Sequence, residues 1–126
     1  MSNAKLIPVG FYADTEFGEG GQPLLVDSID NPIERKGEVL RYLKSAFVMM
    51  TAGVGVYDEV SESRELIGAC QLQTDGVWVW PNSYPFYVER YNAHVPVGLV
   101  ELACSRGWSP PSFSDDEDFD HRMPFG

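Results

Sequence analysis

The side chains of this chain that are suited to chemistry are few: two histidines, two cysteines and one loop of spaced acids. Histidine titrates nearest neutral pH and is the commonest general base. His94 precedes Cys104 across an expected helix, and a base and a thiol form a nucleophile pair only if the fold brings them together. Around them the sequence shows neither a nucleophile elbow nor a cysteine-protease signature. His94 fits a loop or cap position between two helices, and His121 falls in a polar C-terminal stretch. Cys70, on an expected strand, and Cys104 are too few and too far apart for a zinc ribbon or a disulfide framework, and both read as small buried hydrophobes. Asp14, Glu16 and Glu19 are spaced like oxygen ligands in a glycine-containing loop, but the acid order and closing glutamate of an EF-hand are missing. Gly53-Val54-Gly55 is too short for a dinucleotide fingerprint, and a strand follows it where a phosphate cradle needs a helix. The expectation is no catalytic residue, no metal and no cofactor.

The elements that position these groups are organised around Leu72–Tyr84, LQTDGVWVWPNSY. Asp75-Gly76 is a strong hairpin signal, and a type I′ turn there pairs Gln73 with Trp78 and Leu72 with Val79. Alternation then puts Cys70, Leu72, Val77 and Val79 on a plain core face and Gln71, Gln73, Trp78 and Trp80 on an amphipathic one. That second face is either covered by helices or used to bind a ligand.

Ile7–Tyr12 suits a strand or an extended edge, with Pro8 arguing against a central position. Residues 14–22 form a loop, and 23–29 one or two helical turns with Leu25 and Ile29 on one side. Asn31 fits an N-cap followed by Pro32 and Glu34, so a helix is expected from there to about Ser45. Residues 46–60 are rich in valine and methionine and break at Ala52-Gly53, which reads as two short antiparallel strands; Leu66–Gln73 is a third and the hairpin adds a fourth. Tyr84, Tyr87, Val88 and Tyr91 recur at helical spacing and form a core stripe. Pro96 starts a last helix with Leu99, Val100, Leu102 and Ala103 as its apolar face and Gly107 as its stop. The expected fold class is α+β: a four-stranded antiparallel meander with an N-terminal helix and two C-terminal helices packed on it. Residues 1–106 form the single domain and 107–126 an acidic tail containing proline and serine, expected to be mobile.

The chain has 126 residues, enough for one domain with a sizeable core. Nineteen acids against nine basic residues give a net charge of -10. Such a field repels phosphate backbones and anionic membranes and favours basic partners, so neither nucleic acid nor membrane is an expected partner. No stretch is long and apolar enough to span a bilayer, and the N-terminus lacks the order of a signal peptide, so the expected location is cytoplasmic. Asp115, Asp116, Glu117 and Asp118 concentrate charge among aromatic anchors, a pattern able to occupy a cationic cleft. They join Gln71, Gln73, Trp78 and Trp80 as the candidate partner- or ligand-binding residues.

Phe11-Tyr12, Tyr42-Leu43, Thr74-Asp75-Gly76, Trp78, Trp80-Pro81 and Tyr87-Val88 with Tyr91 form a pattern that resembles small uncharacterised actinobacterial proteins with a TDG-x-W-x-WP hairpin. The resemblance covers most of Gly10 to Ala103, leaves out the tail and implies no activity. In size and style the chain is also similar to immunity partners of secreted bacterial toxins. The leading expectation is a non-enzymatic cytosolic binding protein, in its most specific form an immunity-type inhibitor of a basic toxin. The alternative is a small-ligand binding domain or cryptic enzyme that uses the Trp78/Trp80 face.

Overall fold

A computed structural model describes residues 4–125. Its centre is the hairpin of β3 (Leu66–Thr74) and β4 (Trp78–Pro81), which pair antiparallel. The long strand β2 (Phe47–Tyr57) pairs antiparallel with the other edge of β3, and β1 (Ile7–Pro8) lies parallel to β4, so the order is β1-β4-β3-β2. With α1 (Lys36–Ser45), α2 (Ser83–Tyr91) and α3 (Val97–Ser105), the fold is α+β with a four-stranded mixed sheet.

The expected all-antiparallel meander is corrected at one edge. Residues 9–77 separate β1 from β4, and so long a connection permits parallel pairing that a tight turn forbids. The Ile7 and Val9 amides donate to the Val77 and Val79 carbonyls at 2.8 and 3.0 Å. Pro8 sits between these bonds, where its missing N–H costs the ladder nothing. A second correction concerns residues 46–60, in which the single strand β2 over Phe47–Tyr57 replaces the expected two. Its pairing with β3 jumps between Thr51 and Gly55, so the Ala52-Gly53 break is absorbed as a bulge.

Helix α1 starts at Lys36, five residues later than the cap expected at Asn31. Arg35 takes a left-handed φ of 52°, and the Asn31 side chain donates to the carbonyls of Ser28 and Asn92 at 2.8 and 3.3 Å, tying the segment before α1 to the end of α2. Residues 31–35 are therefore an irregular segment that ends in a turn before α1. At the other end of the helical layer, Gly107 stops α3 at φ 65°, and the Trp108 amide returns to Ala103 O at 2.9 Å.

The sheet has two covered faces. Trp80, Tyr42, Leu43, Tyr84, Tyr87, Val88 and Leu99 form the core between sheet and helices. On the opposite face Leu6, Phe11, Val79 and Phe119 form a smaller core, against which Leu72, Phe47 and Phe113 pack. Phe119 is 3 % exposed. The segment expected as a mobile tail thus packs on the sheet through Phe113, Phe119, Met123 and Phe125, because the Leu72/Val79 face had no helix to cover it and these side chains supply that cover. Arg122 fastens it: its guanidinium donates to Gly76 O at 2.7 Å and to Ala4 O at 2.8 Å, and its carbonyl accepts from the Leu6 amide at 2.7 Å.

Candidate functional site

The hairpin turn carries the most interconnected polar cluster. Only Gly76 of the Asp75-Gly76 pair has a positive φ, so the turn is not the expected type I′. The Asp75 side chain closes a wider loop instead: its Oδ1 accepts from the amides of Val77 and Trp78 at 3.0 and 2.7 Å. Gln73 consequently pairs with Trp80 and Thr74 with Val79, a slip of two residues from the expected register. An even slip preserves the faces, so Trp78 and Trp80 still lie opposite Leu72 and Val79. Asp75 is fully buried, and its Oδ2 accepts from the Tyr42 hydroxyl at 2.7 Å. Arg106 donates to Tyr42 Oη at 3.0 Å and to Asp75 O at 2.8 Å. Burial, followed by the Asp75 bond, pushes the Tyr42 hydroxyl well above the usual tyrosine range. This network joins α1, the hairpin and the end of α3, and its polar atoms are spent on one another.

Trp80 has no exposed surface, and its buried indole N–H has no partner among the described residues. Trp78 is half-buried against the helical core. Gln73 is buried, donating to the carbonyls of Ala46 and Lys44 at 3.1 and 3.3 Å, where it satisfies the open end of α1. Gln71 and Gln73 do line a shallow depression of about 330 Å³ with Lys44, Asn82, Phe86 and Glu89, on which neither tryptophan opens. The indoles of the amphipathic face are therefore core, and only its glutamines reach a surface cleft.

A second fully buried carboxylate, Asp58, is spent in the same way. Its Oδ1 accepts from the Val60 amide at 2.9 Å and its Oδ2 from the Tyr91 hydroxyl at 2.5 Å. Tyr87 donates to Tyr57 O at 3.3 Å, and burial pushes its hydroxyl up to about 12. His94 and Cys104 stand at opposite ends of α3, whose nine residues span ~13 Å, and no hydrogen bond joins them among the described residues. Cys104 is exposed, correcting its expected burial: Leu99 and Ala103 take the inward side of α3 and turn it outward. Asp14 spends both oxygens on the amides of Leu25 and Val26, at 2.6 and 3.4 Å.

The acids of the C-terminal segment form a closed loop. Phe113 and Phe119 meet edge to face with ring centroids 5.1 Å apart, and both pack on Phe47. Asp115, Asp116, Glu117 and Asp118 lie between them, all exposed. The Glu117 amide donates to Ser114 O at 3.0 Å, Ser114 bonds the Asp116 carboxylate, and Asp118 accepts from His121 and from the Asp120 amide, which holds its carboxyl below the usual range.

Two adjoining hollows of about 370 and 420 Å³ run along the outer side of α3 and share Glu34, Val100 and Glu101. Ile33, Val95, Val97 and Trp108 supply most of the apolar lining, His94 stands at one end and Cys104 at the other. Sequence reasoning gives neither Glu34 nor Glu101 a binding role. The signal for Glu101 was present as a lone acid inside the apolar run Leu99–Ala103, whereas Glu34 was masked by its resemblance to a capping-box acid. No protein-family model, curated protein or solved structure matches the chain.

Proposed function

We propose that the chain is a non-enzymatic cytoplasmic binding protein whose acidic surface meets a basic partner; its most specific form is an immunity-type inhibitor that blocks a basic toxin. The observation that carries this reading is the Phe113–Phe119 staple under the Asp115–Asp118 loop. A mobile acidic tail loses conformational freedom on binding, whereas a stapled loop presents four carboxylates already ordered. Such a fixed anionic field raises encounter rates with a cationic cleft and aligns the two surfaces. The buried carboxylates Asp58 and Asp75 support the reading from the other side, since their hydrogen bonds serve the backbone and neighbouring tyrosines. The burial of Trp80 withdraws support from a ligand site on the Trp78/Trp80 face.

The test is affinity capture from the native host with the natural chain and with a variant carrying Asp115→Asn, Asp116→Asn, Glu117→Gln and Asp118→Asn. The natural chain is expected to retain a basic protein whose association slows steeply with salt, since exposed charges are screened over roughly 8 Å at physiological ionic strength. The variant is expected to lose most of that rate and of its salt dependence. Retention of the same partner at the same rate by the variant would overturn the role of the loop.

A further inference from the structure

Helix α3 carries apolar side chains on its outer side as well as toward the core, with Glu101 among them. Leu99 and Ala103 point into the core, whereas Val97, Val100, Glu101 and Cys104 recur at i, i+3, i+4 and i+7 along the outside. Val97 is 67 % exposed. Val100 and Ile33 rest partly on the helical core, whereas Val97 and Cys104 stay open to a groove whose other rim is residues 31–35. At the waist of that groove stand Glu34 and Glu101. Neither carboxylate has a hydrogen bond or an ion pair with any described residue, and the nearest cation lining the groove, Arg35, is bound to Glu38 at 3.1 Å. Two unpaired carboxylates over an apolar floor make a surface that binds a cation best when its neighbours are aliphatic.

We propose that this groove seats a short amphipathic segment of a partner protein, with aliphatic side chains on Val97, Val100 and Ile33 and one lysine or arginine between Glu34 and Glu101. The groove lines α3, whereas the acidic loop lies on the opposite side of the sheet, where Phe113 and Phe119 pack with Phe47. The inference rests on the reading of the chain as a binder of basic partners and adds the chemistry of a second contact. The cation selects among aliphatic segments, because an uncharged segment would leave both carboxylates desolvated without a partner.

The probe is a synthetic amphipathic helical peptide of leucine with one central lysine, compared with its norleucine counterpart, against the full chain. Amide chemical-shift changes are expected at Glu34, Val97, Val100 and Glu101, with the lysine peptide binding about tenfold tighter or more than the norleucine peptide. Glu34→Gln with Glu101→Gln should erase that preference while leaving the fold unchanged by circular dichroism, and Val97→Asp should weaken both peptides. Equal binding of the two peptides, shifts confined to the Asp115–Asp118 loop, or no binding would each overturn the groove. So would a second copy as occupant, seen as self-association that Val97→Asp disperses. The loop variant described above separates the two readings: it should keep the groove peptide, and losing that peptide in the loop variant but not in the Glu34/Glu101 variant would overturn the groove alone.

Discussion

The Tyr42 hydroxyl donates to Asp75 Oδ2 at 2.7 Å inside the protein, linking α1 to a hairpin loop whose backbone the same carboxylate closes. One buried acid thereby fixes both the loop conformation and the seat of the first helix.

Removing the donor isolates part of that carboxylate. Tyr42→Phe is expected to lower stability by about 1–3 kcal/mol, the cost of an unsatisfied buried group. Asp75→Ala frees the Val77 and Trp78 amides and the Tyr42 hydroxyl together and removes the 3.8 Å ion pair with Arg106, so about 3 kcal/mol or more is expected. Urea unfolding of both variants checks the order, and equal stabilities would count against the network.

Phe119 anchors the second core. Phe119→Ala is expected to cost about 3–5 kcal/mol. Deleting residues 114–126 should likewise lower the melting temperature, since it uncovers Phe11, Val79 and Leu72. Unchanged thermal melting after the deletion would show that the segment does not hold the fold.

Gly76 combines a φ of 90° with a close approach, since a Cβ there would lie 2.9 Å from Phe113 Cζ. Gly76→Val should cost about 1–3 kcal/mol through backbone strain and displace the Phe113 ring. Loss of the Phe113–Phe119 ring-current shifts by NMR would report the displacement directly.

Alkaline pH should unfold the protein through its tyrosines. Burial raises the hydroxyls of Tyr12, Tyr42, Tyr84 and Tyr87 above the ordinary value of 10.0, that of Tyr87 to about 12. The folded state therefore holds protons that the unfolded chain releases first. This stability is fully present below about pH 10 and is lost as pH rises toward 12 and beyond. Tyrosinate absorbance should appear together with loss of the far-ultraviolet circular dichroism signal, and tyrosinate forming freely in a folded protein near pH 10 would contradict the burial.

The α+β class, the burial of Tyr84, Tyr87 and Val88 in a stripe whose fourth member Tyr91 is only half-buried, the stop at Gly107 and the assignment of Trp78 and Trp80 to the side opposite Val79 were all legible in the sequence. These follow from local periodicity, and the strand period of two survives the slip that Asp75 imposes on the hairpin. Contacts between distant residues settled the rest. Asp75 closes its own loop with one oxygen and takes Tyr42 with the other, which nothing within the hairpin dictates. The parallel edge formed by β1 depends on residues far along the chain. The position of the acidic segment depends on an uncovered apolar sheet face that Phe113 and Phe119 fill and that Arg122 locks to Gly76. Composition marked that segment as acidic and mobile, but its conformation was decided by the free energy of covering a surface formed elsewhere.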